Sequence, residues 1–417
     1  MRKLIIKNFG PFKDLEFDMD KSRYVFIGEQ ASGKSTLAKI IHLFRNVTEI
    51  FSLVNFSAHV NQELRGKDID VLFAHFMSFN FYSCFDRGLF KENTMFHYYY
   101  SVEQDKSIIL KFNRDKEISL LISRNLLDEL RKIIDKLNVI LENETDSNKI
   151  FTILKFSEYE VKKLFCDKND SLYIPAARSF ISMFSNTSYD FMKSDAFDYT
   201  IKGFVGAVDT FRRLSISQDP IALIKEMVDD ENNKIVDLIP NILKGKYVFT
   251  KDKEYILMNG EQITLPLASS GQQEALWILN LIILSWYTKN NYNFIIEEPE
   301  AHLFPKAQFD IMKFIMMGAN ITGADLVITT HSPYVLNTLN VLMYSGQVEK
   351  DNSKKYVIEK ECRVNPDIMG VYYLHNGELE NLIDPEEHLI RSEKIDEISC
   401  KLNGLYESIM DLDFKGC

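Results

Sequence analysis

One short run constrains this chain more than any other: Gly28-Glu29-Gln30-Ala31-Ser32-Gly33-Lys34-Ser35, set between the apolar stretch Tyr24-Val25-Phe26-Ile27 and the amphipathic continuation Thr36-Leu37-Ala38-Lys39-Ile40-Ile41. A buried strand that runs into a glycine loop and leaves through a helix is the order needed to wrap a phosphate in backbone N–H groups. Gly28 and Gly33 keep side chains out of the loop's tight path, and Gln30, Ala31, Ser32 and Thr36 complete the cradle. The helix N-terminus adds partial positive charge and Lys34 neutralises the β and γ oxygens of a triphosphate, while the Ser35 hydroxyl is placed to hold Mg²⁺.

Three later segments supply what such a cradle lacks. Phe294-Ile295-Ile296 reads as a buried strand that ends in Glu297-Glu298-Pro299-Glu300. Neighbouring side chains on a strand point to opposite sides, so the adjacent carboxylates take different tasks. By the usual order Glu297 serves the metal, and Glu298 orients or deprotonates the attacking water. Leu326-Val327-Ile328-Thr329-Thr330 is a second such strand, whose tip delivers His331 to the γ-phosphate or its water. Leu265 to Gln273 precedes a helix expected to start near Glu274, which puts Ser269, Ser270, Gly271 and Gln272 at a helix N-terminus, a second anion site. Taken singly, these are also a solvated acidic turn, a structural histidine and an ordinary cap. Taken in this order behind a phosphate loop, they specify an ATPase in which Lys34, Glu298 and His331 are the catalytic candidates.

Composition narrows the class. With 417 residues, 46% of them hydrophobic, the chain can bury one large core or two ordinary ones. A net charge of −11 is the wrong sign for a protein that coats nucleic acid by long-range attraction. The five scattered cysteines form no CxxC pair and the eight histidines lack zinc spacing. No apolar run reaches membrane-spanning length and the opening residues lead into a strand rather than a signal peptide, so the expected address is the cytoplasm.

Along the chain, residues 2–9 and 15–19 read as strands about the turn at Gly10-Pro11. The aromatics between 50 and 100, among them Phe73, Phe76, Phe79, Phe81, Tyr82, Phe85 and Tyr98-Tyr99-Tyr100, belong to a core or to an assembly surface. A hairpin is expected from 108–112 and 118–122, turning at Asn113-Arg114-Asp115. Helical spacing follows at Leu127, Leu130, Ile133, Ile134, Leu137, Ile140 and Leu141. The expected organisation is therefore an N-terminal ATPase lobe over 1–123, a mostly helical insertion over 124–245 interrupted by a strand at Leu172-Tyr173-Ile174, and a C-terminal ATPase lobe over 246–345. A strand and helical tail, with its helix over Glu393 to Met410, complete the chain over 346–417.

These residues in this order resemble the ABC-type ATPases of the RecF, SMC and OLD group. Leu4, Ile6, Phe9 and Phe12 are similar to that group's opening strand, Ile296 to Pro305 to its extended Walker B and D-loop, and Thr329-Thr330-His331-Ser332-Pro333 to its switch segment. Tyr173-Ile174-Pro175-Ala176-Ala177-Arg178 and the tail after 366 resemble the ATPase subunits of bacterial anti-phage systems such as PARIS and Septu. Two features depart from the group: no glutamine loop can be placed, and Glu297 stands where many relatives have Asp. The resemblance implies an α/β head with a mixed central sheet, ATP and Mg²⁺ as cofactors, and a two-fold homodimer. In that dimer Ser269, Ser270, Gly271 and Gln272 would meet the γ-phosphate held by the other subunit. It further implies a sensor or scaffold subunit that controls a separate effector, such as a nuclease, since the chain shows an ATP switch and no effector chemistry of its own. The rival is a RecF-like repair ATPase binding DNA directly, for which Lys162-Lys163 and Arg212-Arg213 offer short basic clusters that also read as solvated helix faces. Arg178 either approaches the site or makes a structural salt bridge.

Overall fold

The computed structural model describes residues 1–51, 69–113, 118–142, 146–165, 169–184, 197–217, 234–250, 253–288, 292–348 and 357–391, with single residues at 222, 401, 404, 405 and 407. The chain opens with β1 (Arg2–Phe9), β2 (Phe12–Met19), β3 (Arg23–Ile27), α1 (Lys34–Arg45), α2 (Ile69–Cys84), β4 (Phe90–Ser101), β5 (Lys106–Phe112) and β6 (Ile118–Ile122). It continues through α3 (Arg124–Glu142), α4 (Asp146–Leu164), β7 (Asp170–Ile174), α5 (Tyr199–Ser217), α6 (Lys234–Leu243), β8 (Lys246–Phe249), β9 (Glu254–Met258) and β10 (Glu261–Thr264). The last described elements are α7 (Ser270–Thr288), β11 (Tyr292–Glu297), α8 (Pro305–Thr322), β12 (Leu326–Thr330), α9 (Pro333–Val348), β13 (Met369–His375) and β14 (Glu378–Asn381).

A six-stranded sheet in the order β14-β13-β3-β12-β11-β7 organises the molecule. Its members from β13 to β7 run parallel, and only β14 is antiparallel, closing one edge. The strand period divides each sequence between two cores. Val25, Phe294, Ile296, Leu326, Ile328 and Val371 face the core built with α7, α8 and α9. Tyr24, Phe26, Ile295, Val327 and Tyr173 face the opposite core, built with α1 and the N-terminal sheet. Burial on both faces is why these strands read as unbroken apolar runs. The expected mixed α/β fold is thus present.

The strand at 172–174, within the span read as a helical insertion, is the sheet's edge: β7 pairs with β11 in parallel register from Tyr292↔Asp170 to Ile296↔Ile174. A second, antiparallel sheet, β2-β1-β4-β5-β6, contains the expected hairpin of β5 and β6, whose connecting residues 114–117 lie outside the described residues. Against it Phe73, Phe81, Phe85, Tyr98 and Tyr100 are buried, with Phe44 stacked on Tyr98 at 5.0 Å and Phe9 edge-on to Phe96 at 4.8 Å, so among the described residues most of these aromatics are core. Phe79 is the exception at 62% exposed. A small antiparallel sheet, β10-β9-β8, leads into α7.

The helical tail expected from Glu393 to Met410 falls outside the described residues apart from isolated positions. Among the described residues no helix is long and apolar enough to cross a membrane, and Cys84 and Cys362 are buried free thiols whose pKa burial pushes up to about 11 and about 12.

Candidate functional site

Because β3, β12 and β11 are parallel neighbours, their C-terminal ends open on one edge of the sheet, where ligands of such sheets bind. The sequence places the phosphate loop at the end of β3, Glu297-Glu298 at the end of β11 and His331 at the end of β12. The fold brings all three together: His331 Nε2 lies 3.5 Å from Glu298 Oε1.

In the loop, Ala31 and Gly33 take left-handed backbone conformations, and Gly33 stands at the N-cap of α1. Gly28 is required by packing: a Cβ there would stand 2.3 Å from the Leu374 carbonyl oxygen of β13. Ser35 is exposed in the first turn of α1, and Thr36 follows it half-buried. Lys34 is buried and its Nζ donates to the carbonyls of Gly28 at 2.9 Å and Glu29 at 2.8 Å. Burial pushes its pKa down to about 8, against the opposing pull of Glu298, Glu300 and Glu297. The three carboxylates and the lysine therefore share one field.

The adjacent glutamates are divided as strand geometry requires. Glu297 is buried: its Oε2 accepts from the Ala176 N–H at 3.2 Å, and its Oε1 has no hydrogen-bond donor. A buried oxygen left without a donor, together with the Ser35 hydroxyl, is the hard-oxygen chemistry that suits Mg²⁺, so these residues fit the ion. Glu298 is more open and sits at φ 42, a left-handed conformation rare for a residue with a Cβ. Its N–H donates to the Thr329 carbonyl at 2.8 Å.

Glu300 has a task the sequence did not announce. Its Oε1 accepts from the Thr330 hydroxyl at 2.6 Å and from the His331 N–H at 2.9 Å, fixing the switch loop from below. Ser332 then caps α9 through the Tyr334 N–H at 3.1 Å and donates to Gln308 Oε1 at 2.6 Å. Only the burial of the third carboxylate, which a surface-turn reading hides, would have revealed this.

The signature segment differs in detail from expectation. α7 begins at Ser270, about one turn before Glu274, because Ser269 and Gln272 form a reciprocal capping box. Ser269 Oγ accepts from the Gln272 N–H at 3.3 Å, and Gln272 Oε1 accepts from the Ser269 N–H at 3.0 Å. Gln272 Nε2 also donates to the Leu243 carbonyl at 2.7 Å, so this side chain is held within the chain. Ser269 and Ser270 are exposed, and Gly271 packs against the D-loop, where a Cβ would stand 2.6 Å from the His302 carbonyl oxygen.

Arg178, left open by the sequence, is fully buried and reaches the site's backbone, donating from Nη1 to the Glu297 carbonyl at 2.8 Å and from Nη2 to the Glu298 carbonyl at 3.1 Å. Arg212, read with Arg213 as a possible basic surface or solvated face, is neither: it is buried in a two-pronged pair with Glu254, at 3.0 Å from Nε and 2.6 Å from Nη2. Arg213 is exposed and pairs with Asp209.

Residues 23–337 match the model of a family described as "AAA domain, putative AbiEii toxin, Type IV TA system". No curated protein matches the chain. Among solved structures it is similar to an SMC head bound to the C-terminal winged-helix domain of ScpA, at 10% identity and TM-score 0.44, covering 93% of this chain and 99% of that one. The SMC head domain from Thermotoga maritima aligns at 12% identity and TM-score 0.36, covering 91% and 97%. An SMC head with an extended coiled coil, bound to the C-terminal domain of ScpA derived from Pyrococcus furiosus, aligns at 12% identity and TM-score 0.38, covering 97% and 100%.

Proposed function

The chain belongs to that family of AAA-type ATPase domains, and from this premise we propose that it hydrolyses ATP as a nucleotide-driven switch, closing into a homodimer that holds or releases a separate toxic effector in a bacterial anti-phage system. The observation that carries the reading is the meeting of Glu298 with His331 at 3.5 Å, inside the field that also acts on Lys34. Lys34 and the loop amides bind the phosphates, Glu298 takes the proton of the attacking water, and His331 holds Glu298 and the γ-phosphate end of the site. Ser35 and Glu297 would hold Mg²⁺, which neutralises charge on the phosphates. Ser269, Ser270 and Gly271 act on the partner's triphosphate, which an ADP-bound dimer lacks, so hydrolysis resets the switch.

The family description names a putative toxin of a type IV toxin–antitoxin system, which supports a role in such a system, while control of a separate effector rests on the resemblance to PARIS and Septu ATPase subunits. The rival reading, direct DNA binding, loses Arg212 to its buried pair with Glu254. Two variants test the proposal. Lys34→Ala should lose ATP binding by about 100-fold or more, and Glu298→Gln should bind ATP normally while turnover falls by about 10²–10⁴-fold. Normal turnover by Glu298→Gln removes the assignment of the base; unchanged affinity in Lys34→Ala removes the site.

A further inference from the structure

We propose that Arg178 is a positioning residue that links the signature helix to Glu298, so that occupation of one chain's serine cap by a second copy's triphosphate sets that chain's own water-activating carboxylate. The inference rests on the sandwich-dimer reading above.

Its basis is one guanidinium shared by three segments. Arg178 Nε donates to the Glu274 carbonyl of α7, about one turn after Ser270, at 2.8 Å, with the Glu274 carboxylate 3.3 Å away. Nη1 donates to the carbonyls of Pro175 at 2.9 Å and Glu297 at 2.8 Å, and Nη2 to that of Glu298 at 3.1 Å. The fork is planar and rigid, so it cannot follow one of these carbonyls without pulling on the others.

At the β11 end the pull falls on a sensitive residue. Glu298 holds φ 42, a conformation that persists only where surroundings over-determine it. Those surroundings are the Arg178 and Ala301 donors on its carbonyl, at 3.1 Å and 3.0 Å, and the Thr329 acceptor for its N–H. At the α7 end, Glu274 lies about one turn from Ser270, so a ligand drawing on the cap displaces the carbonyl that Arg178 holds. The close approach of Gly271 to His302 keeps the same two segments in touch independently. Loosening the guanidinium therefore weakens the link without separating them.

The test measures ATP turnover against protein concentration for wild type, Arg178→Lys, Ser270→Arg and the double variant, with ATP affinity and melting temperature recorded for each. Arg178→Lys should bind ATP within about twofold of wild type and still dimerise, while kcat falls about 10–100-fold, the scale of a slightly misplaced catalytic group. Ser270→Arg removes its own contact with the partner's triphosphate as well as the signal through Arg178, so it should cost less in the Arg178→Lys background than in wild type, because the part that travels through the guanidinium is already lost. Losses that multiply, or an Arg178→Lys kcat within about twofold of wild type, overturn the inference. If Arg178→Lys shows no cooperative melting, Glu274→Gln carries the same comparison, since it keeps the backbone carbonyl and removes only the charge facing Nε. Wild-type turnover per subunit that ignores protein concentration overturns the sandwich dimer, and this link with it. Concentration-dependent wild-type turnover beside an unaltered Arg178→Lys overturns this link alone.

Discussion

Lys34 is the residue at which opposing effects are most evenly set. Burial outweighs three nearby carboxylates and leaves its pKa at about 8, so above that pH the apo side chain is increasingly neutral. A bound polyphosphate favours the charged form and must raise that value. Nucleotide binding at about pH 8.5 should then take up a fraction of a proton per site, and affinity should fall as pH rises further. Calorimetry in two buffers of different ionisation enthalpy measures the uptake; a heat independent of buffer contradicts the assignment. Its effect on folding has the opposite sense: the unfolded chain holds more protons between about 8 and 10.5, so this residue makes stability rise with pH across that window. His42 behaves as an acid-sensitive group. Asn46 Nδ2 can only donate to its Nε2 at 3.3 Å, so Nδ1–H donates to Ser171 Oγ at 3.0 Å, and the ring is neutral. Burial pushes its pKa to about 3, below the unfolded 6.5, and the stability it confers is lost as pH falls through that interval. Unfolding between about pH 7 and pH 5 should show about 2 kcal/mol less loss in His42→Asn than in wild type, by denaturant titration. Equal losses would show that His42 is protonated in the native state.

At the scale of elements, the buried pair Arg212–Glu254 joins α5 to β9. Arg212 also donates to the carbonyls of Phe184 and Ile181, the Tyr247 hydroxyl donates to Glu254 at 2.6 Å, and the guanidinium lies 5.0 Å from the Trp277 ring. Removing one partner strands a charge, so Glu254→Ala should destabilise by about 3–5 kcal/mol, and adding Arg212→Met should recover much of it. A double variant no more stable than the single, by chemical denaturation, would assign the cost to packing instead. This pair marks the limit of what the sequence discloses. The strands that end at Ile27, Glu297 and Thr330 are legible because both faces are buried, which writes them as apolar runs with the polar candidates at or just past their ends. The partners of β7 and Arg212 were not, because β7 pairs with a strand more than 100 residues away and Arg212 meets Glu254 across a different element. Arg178 was undecidable for a further reason: its acceptors are backbone carbonyls, and every residue has one. The start of α7 lies four residues before Glu274 because Ser269 and Gln272 form a capping box, a pattern the sequence does contain.

For the whole molecule, the central sheet separates two cores; the loops after β3, β11 and β12 emerge at its C-terminal edge, and the N-terminus of α7, reached from the small sheet, packs against the loop after β11 through Gly271 and His302. Three large apolar side chains flank those loops: Leu267 before Ser269 is 80% exposed, Phe304 after Glu300 is 79% exposed, and Tyr334 after His331 is 51% exposed. Isolated exposed hydrophobics are ordinary, but each of these stands beside a different part of one proposed catalytic apparatus. An isologous dimer that brings Ser270 to the partner's phosphate loop would cover that edge in both copies, which gives these side chains the central, desolvated place where binding energy concentrates. Phe304→Asp should therefore weaken ATP-induced dimerisation of the slow-turnover Glu298→Gln protein by about tenfold or more, read by sedimentation velocity. Its effect on ATP affinity at concentrations where the protein is monomeric should stay within about twofold, because the residue lies outside the phosphate cradle. Dimerisation as strong as in the parent would place the interface elsewhere. Loss of monomer affinity would mean instead that Phe304 supports the segment after β11 and with it Glu297, the carboxylate assigned to the metal.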